Sequence, residues 1–364
     1  MKFQRAKGTL DYYPLDESIK SHVLNVFLDV AQRYGFLKVE SPVMEELSLL
    51  SEKQGDETKE QIFVLEQRGE EKYGLRFDMT VPLARLFCES QKSLPKPIKW
   101  SYTTRNWRYE RPQKGRLREF YQMGVELLGS FRPEADVEVI SVAIDTLKGL
   151  GLSSDDFVVE INNRKLAQGL FAGFTEGDLD ALLRIIDKKD KLSSEDFKKS
   201  LNDVGVADCQ GLISLLESNF DDLKKMSLDG LAKEGFLELA PIMELLDPKM
   251  VRLSLSTVRG LSYYTGTVFE IYDKKKQFRA VTGGGRYDKM IEQFGGEATP
   301  ATGMAMGFHT LLLLLESAGK VPKPDLGPDY LVAPVDDTVR VQAWELVARL
   351  RKHHKVEYDL DRRS

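Results

Sequence analysis

Apolar positions recur at helical spacing near the start of the chain. Ile19, Val23, Val26, Phe27, Val30, Ala31 and Tyr34 share one face, which predicts a helix ended by Gly35. Residues 62–66 and 73–77 flank the polar stretch 67–72 in the pattern of a hairpin. Two longer strands are predicted over residues 100–110 and 119–129, separated by a basic loop at 111–118. In extended chain Arg108 and Glu110 share one face, and Phe120, Gln122, Gly124 and Glu126 share another. Faces carrying Arg, Glu, Gln and Glu are too polar for a sheet core and read as the floor of a site.

A helical pattern returns over 133–148, with Val137, Ile140, Ile144 and Leu147 on one side. After a short strand at 157–161, residues 162–246 are dense in Lys, Asp, Glu, Ser and Leu at helical spacing, which predicts a helical insertion. Strands are expected again at 251–255, 267–272 and 278–282, the last two forming a hairpin, followed by a helix over 304–315. Past the proline-bearing stretch 319–327, a β–α–β pattern occupies 330–335, 339–353 and 356–360, a unit too small to cover its own apolar faces. The expected organisation is a core in two parts, 1–161 and 247–320, around the insertion 162–246, with the beginning of a small α/β domain at 328–364.

Composition removes several classes. The 364 residues, 42% hydrophobic and 30% charged, suit a soluble globular protein of two or three domains. No apolar run of about 18 residues occurs and the start lacks a signal-peptide core, so the expectation is a cytoplasmic protein with no membrane segment. Cys88 and Cys209 are the only cysteines, and His22, His309, His353 and His354 lack ligand spacing, so no metal site is expected from either. A net charge of −5 argues against a generic nucleic-acid coat and leaves room for a local basic patch.

Four segments carry candidate chemistry. Six basic residues lie between Arg105 and Arg118, enough to surround a polyphosphate, with Arg108 able to grip one phosphate bidentately; a solvated basic hairpin has the same composition. The run Val258-Arg259-Gly260-Leu261-Ser262-Tyr263-Tyr264-Thr265-Gly266 offers a cation beside two aromatic walls, or simply a turn with interface tyrosines. Gly283-Gly284-Gly285-Arg286-Tyr287-Asp288 ends a predicted strand with three glycines, as a plain turn or as backbone bared to a ligand. It is not the dinucleotide fingerprint, since no βαβ unit opens there. Asp78 and Thr80 could hold a substrate ammonium, or Thr80 could cap a helix.

Together these segments resemble the histidyl-tRNA synthetases, a family of class II aminoacyl-tRNA synthetases. The resemblance runs from Lys7-Gly8-Thr9-Leu10-Asp11-Tyr12 through Arg76–Thr80, the Arg108–Phe120 loop, Gln122–Glu126, Asn162–Lys165, Ile186–Lys191, Val258–Gly266 and Gly283–Asp288. It implies an α+β fold: an antiparallel sheet of six or seven strands flanked by helices, binding ATP with Mg²⁺ and histidine, in a homodimer that charges tRNA(His). Carried over by residue, Arg108 and Arg259 are the catalytic arginines. ATP would be held by Arg108, Glu110, Arg116, Arg118 and Thr310. Histidine would be held by Asp78, Thr80, Gln122, Glu126, Arg259, Tyr263, Tyr264 and Gly284.

Three departures accompany the resemblance. The third class II motif of the family places an arginine where this chain has Thr310, a loss on the order of 2–4 kcal/mol, or roughly 30- to 1,000-fold in ATP use. Ser262 stands where the family has an acidic residue, and the anticodon-binding domain barely begins before Ser364, from which weak tRNA discrimination is expected. A histidine–tRNA ligase is the primary expectation. The alternative is a non-charging relative that binds histidine as the regulatory subunit of an ATP phosphoribosyltransferase.

Overall fold

The computed structural model describes residues 3–51, 59–259 and 263–360. They form two compact units. One takes the chain up to Asp11 and from Ser21 to Val321; the other takes Tyr12–Lys20 and the chain from Pro322 onward. Among the described residues no helix is long and apolar enough to cross a membrane.

The larger unit is built on an eight-stranded mixed sheet. Its strands are β1 (Leu37–Lys38), β5 (Ile98–Trp107), β6 (Glu119–Leu128), β7 (Phe157–Asn163), β8 (Val251–Leu253), β9 (Thr267–Asp273), β10 (Thr282–Arg286) and β11 (Ala301–Gly307). They lie in the order β1-β5-β6-β11-β10-β9-β7-β8. The six inner strands are antiparallel, while β1 runs parallel to β5 and β8 parallel to β7. A separate three-stranded sheet joins β2 (Met44–Glu46), β3 (Phe63–Val64) and β4 (Tyr73–Leu75), including the expected hairpin. In the smaller unit β12 (Tyr330–Val332) and β13 (Val356–Tyr358) pair in parallel around the helix Arg340–Leu350, the expected β–α–β pattern.

The two faces of the main sheet differ in chemistry because side chains alternate along each strand. Val159, Ile161, Phe269, Ile271, Met304, Met306, Met123 and Val125 are buried on one face, against which the helices Pro133–Gly149 and Gly230–Leu245 pack. The other carries Glu160, Glu270, Gly283, Ala305, Gly124 and Tyr102 in one cross-strand row.

Several elements differ from the sequence expectations. The strand predicted over 100–110 ends at Trp107, because a tight turn in which the Glu110 amide donates to the Arg108 carbonyl at 2.9 Å breaks the alternation. The hairpin strand expected at 278–282 starts instead at Thr282, so the three glycines lie inside β10 rather than after it. Residues 304–307, expected to open a helix, belong to β11. The alternation Gly303-Met304-Ala305-Met306-Gly307 has period two, with both methionines buried, and the helix begins only at Phe308. Asn162 and Asn163 close β7, and Asn163 then caps the helix Arg164–Phe171 by accepting from the Lys165 and Leu166 amides. That helix is the first of six α-helices between Arg164 and Leu245. The resemblance implied six or seven antiparallel strands; the sheet has eight because a parallel strand adds to each edge.

Candidate active site

A cleft of ≈ 1030 Å³ opens over the polar face of the sheet. Arg108, Glu110 and Arg116 reach it from the β5–β6 loop, Gln122 from β6, Asp78 from the chain after β4, and Thr310 from the helix Phe308–Ser317. Arg259, Tyr263 and Gly283 line the same space from the other half of the sequence.

Arg108 is held at Nε and over one face of its guanidinium group. Its Nε donates to the Phe77 carbonyl at 3.0 Å, and its Cζ lies 5.1 Å from the centre of the Phe120 ring. Arg116 Nε lies 2.6 Å from Glu110 Oε2. Arg118, grouped by sequence with the ATP-binding residues, does not line the cleft. It lies over the Tyr109 ring at 4.2 Å, its Nε donates to the Glu110 carbonyl at 3.0 Å, and its amide holds the Gly8 carbonyl at 2.8 Å. Its placement is that of a brace for the loop.

Arg259 adopts a left-handed backbone conformation, φ 50°, a cost of about 1–2 kcal/mol for a residue with a Cβ. Its side chain, 17% exposed, lies over Gly283, with Cζ 5.2 Å from the Tyr264 ring and Nη1 3.9 Å from Glu270. A Cβ on Gly283 would overlap the guanidinium. Burial alone would lower the Arg259 pKa, but Tyr264 and Glu270 outweigh it and hold the group charged. Gly284, the glycine assigned by sequence to the site, faces the opposite side of the sheet. A Cβ there would meet the Gly303 carbonyl, Met304 Cβ at 2.7 Å and Phe269 Cε1 at 2.8 Å. Side chains alternate along β10, so Gly283 lines the cleft and its neighbour Gly284 faces away from it.

The residues expected around a substrate amine divide between the cleft and its floor. Asp78 lines the cleft and accepts the Thr80 amide at 3.1 Å, so it also starts the helix Thr80–Ser90. Gln122 lines it too, its Oε1 accepting from Asn106 Nδ2 at 2.8 Å. Thr80 and Glu126 instead border a small adjoining pocket with Tyr287. Glu126 is 5% exposed, and burial followed by repulsion from Asp78 pushes its pKa well above the ordinary range. Burial raises Asp78 as well, against the pull of Arg108. Two carboxylates that resist ionisation side by side form a place where an ammonium would be welcome. Tyr263 faces the cleft, while Tyr264 is buried behind it with ring centres 4.7 Å apart. Ser262 lies outside the described residues.

Sequence reasoning missed several cleft residues. Glu270 and Tyr272 line it from β9, where their alternation with Phe269 and Ile271 was a readable signal. Glu160, bonded to Arg252 and 3.0 Å from Lys276, forms one end of the cleft, and Arg279 projects from the β9–β10 loop. No local signal marks Arg279, which becomes a cleft residue only through the pairing of β9 with β10. His309 lines the cleft beside Thr310; burial lowers its pKa to about 4, leaving it uncharged at neutral pH.

Comparison with known proteins adds an independent line. The histidyl-tRNA synthetase family profile matches residues 8–311. The histidine–tRNA ligase of Haloarcula marismortui is 37% identical over 381 residues, covering 100% of this chain and 86% of that protein. That of Pyrococcus abyssi is 39% identical, covering 96% and 83% respectively. The crystal structure of histidyl-tRNA synthetase from Nostoc sp. PCC 7120 superposes with a TM-score of 0.87 at 24% identity, covering 100% of this chain and 87% of that one. A Bacillus halodurans structure described as an ATP phosphoribosyltransferase regulatory subunit/histidyl-tRNA synthetase gives 0.82 at 25% identity, covering 98% and 93%.

Proposed function

Because the chain belongs to the histidyl-tRNA synthetase family, we propose that it is a histidine–tRNA ligase that activates histidine with ATP and transfers it to tRNA(His). One observation carries the reading: Arg108 and Arg259, far apart in sequence, line a single cleft together with Asp78 and Tyr263. In this reading the histidine ammonium sits by Asp78, with the buried Glu126 and Thr80 behind it and Gln122 alongside, and the imidazole lies against Tyr263. Tyr264 supports Tyr263 from beneath. The histidine carboxylate attacks the α-phosphorus and pyrophosphate leaves, so the protein's task is to align the two and to stabilise charge on the phosphoryl oxygens. Arg108 and Arg259 perform that task. Glu110 and Arg116, bound to each other, shape the nucleotide end, and Phe120 supplies an aromatic face there. Thr310 borders the same end without adding charge.

Mg²⁺ would arrive as the chelate of ATP and would supply neutralisation of phosphate charge. Among the described residues no group of three or more His, Cys, Asp or Glu is placed to hold a resident ion. We take the protein to act as a homodimer, as the family resemblance implies, and in the cytoplasm, the expectation from its sequence. The proposed test is histidine-dependent ATP–pyrophosphate exchange at millimolar ATP. Exchange by the wild-type chain and its loss in Arg259→Ala are expected. Absence of exchange above the Arg259→Ala blank would favour the second reading, a histidine-binding regulatory subunit, which the Bacillus halodurans likeness and the neutral Thr310 support.

A further inference from the structure

Six cationic side chains line the cleft: Arg108, Arg116, Arg252, Arg259, Lys276 and Arg279. Five are already engaged. Arg108 donates to the Phe77 carbonyl, Arg116 faces Glu110, and Arg259 lies between the Phe269 carbonyl and Glu270. Arg252 and Lys276 both hold Glu160. Arg279 alone among these six has neither a hydrogen bond nor an ion pair within the described residues.

Its position is defined by the loop that carries it. The preceding residue, Phe278, lies under the Lys114 ammonium at 5.5 Å, so the β9–β10 loop meets the basic β5–β6 loop at the cleft. The Arg279 side chain is exposed at the mouth of the cleft, yet partial desolvation and the neighbouring Arg116 guanidinium lower its pKa from the usual arginine value, and Arg108 adds to the effect. The opposing carboxylates are Glu110, already held by Arg116, and Glu270, which faces Arg259. Three guanidiniums converging on one space with their counter-charges already committed call for an anion with several charged oxygens. From the other side the helix Phe308–Ser317 brings only the neutral His309 and Thr310.

The geometry points to Arg279 as the side chain that binds the terminal phosphates of the nucleoside triphosphate, and of the pyrophosphate that leaves. This rests on reading the cleft as a site of ATP-dependent activation. In the exchange assay, Arg279→Ala is expected to raise the KM for ATP and the KM for pyrophosphate by about 10- to 100-fold. The histidine KM and the inhibition constant of adenosine, which has no phosphates, are expected to stay within about threefold, since neither ligand needs this charge. Arg279→Lys should recover part of the loss, as should adding Thr310→Arg to Arg279→Ala, because each returns a cation to the same end of the cleft. An ATP KM within about threefold of wild type would overturn the assignment. So would histidine and adenosine constants that rise in step with that of ATP, since this marks a distorted site. If the wild-type chain shows no exchange, the activation reading fails by itself, and calorimetry with pyrophosphate then decides for Arg279. Binding lost in Arg279→Ala supports the phosphate role, and binding retained overturns it.

Discussion

Gly283→Ala separates the chemistry of the cleft from the stability of the fold. A Cβ at position 283 would overlap Arg259 Nη1 and lie 2.6 Å from Cζ and 2.8 Å from Nη2. All three atoms are the mobile end of a long side chain, so the guanidinium can swing aside while the strand stays in place. The backbone of Gly283 needs no left-handed conformation, and alanine in a strand is favoured over glycine by roughly 0.5–1 kcal/mol. The variant should therefore melt within a few degrees of wild type. Displacing a charge-stabilising donor costs about 2–4 kcal/mol in the transition state, equivalent to roughly 30- to 1,000-fold in kcat/KM. Gly284→Ala is the matched control. There the added carbon meets the Gly303 carbonyl and the buried Met304 and Phe269, none of which can retreat, so the fold itself should lose stability. Pyrophosphate exchange and thermal melting on both variants are the assays. An exchange rate for Gly283→Ala within about threefold of wild type, or a melting loss equal to that of Gly284→Ala, would refute the placement of Arg259 over Gly283.

Other expected outcomes follow from the same geometry. Glu126 holds its proton in the folded chain well above the ordinary glutamate value of 4.5, whereas the unfolded chain gives it up near that value. Stability should therefore fall as pH rises from about 4.5 through the raised pKa. Glu126→Gln should flatten that slope in melting curves recorded from pH 5 to 8; parallel slopes would contradict a buried, proton-holding Glu126. His309 has the opposite sign. Its pKa of about 4 lies below the unfolded value of 6.5, so the stability it contributes is present above pH 6.5 and lost as pH falls towards 4, a loss His309→Asn should lack. Arg259→Gly should melt above Arg259→Ala, because only glycine relieves the cost of φ 50°, and equal melting would place the strain elsewhere. Arg118→Ala should lower the melting temperature with a smaller effect on the ATP KM than Arg116→Ala; the reverse order would put Arg118 in the cleft.

Much of the site was legible because its residues cluster in short runs of unusual chemistry. The basic loop, Asp78 and the Arg259-to-Tyr264 run all declared themselves, and Arg108, Asp78, Gln122, Arg259 and Tyr263 do share a cleft. What failed was parity. Methionine and alanine are good helix formers, so residues 304–307 looked helical, although Gly303, Ala305 and Gly307 alternate as a strand between β6 and β10 must. Gly284, carried over from the family resemblance, lies on the face of β10 turned away from the cleft, which Gly283 lines. Arg118 was assigned by proximity in sequence to Arg108, but the turn after Trp107 directs the two guanidiniums to different partners. Arg279 and Glu160 carried no local mark, since strand pairing alone brings them to the cleft.

The strand order has a consequence for the order in which the molecule can be made. β6 leaves the ribosome immediately after its partner β5, yet its other neighbour, β11, is the last strand of the sheet to be synthesised. Throughout the synthesis of residues 129–300 the inner edge of β6 carries unpaired amides and carbonyls, along with the buried-to-be Met123 and Val125. Such an edge is a template for pairing with any extended chain nearby. The nascent protein therefore passes through a long interval of exposure to self-association, which ends when residue 307 clears the exit tunnel and β11 closes the sheet.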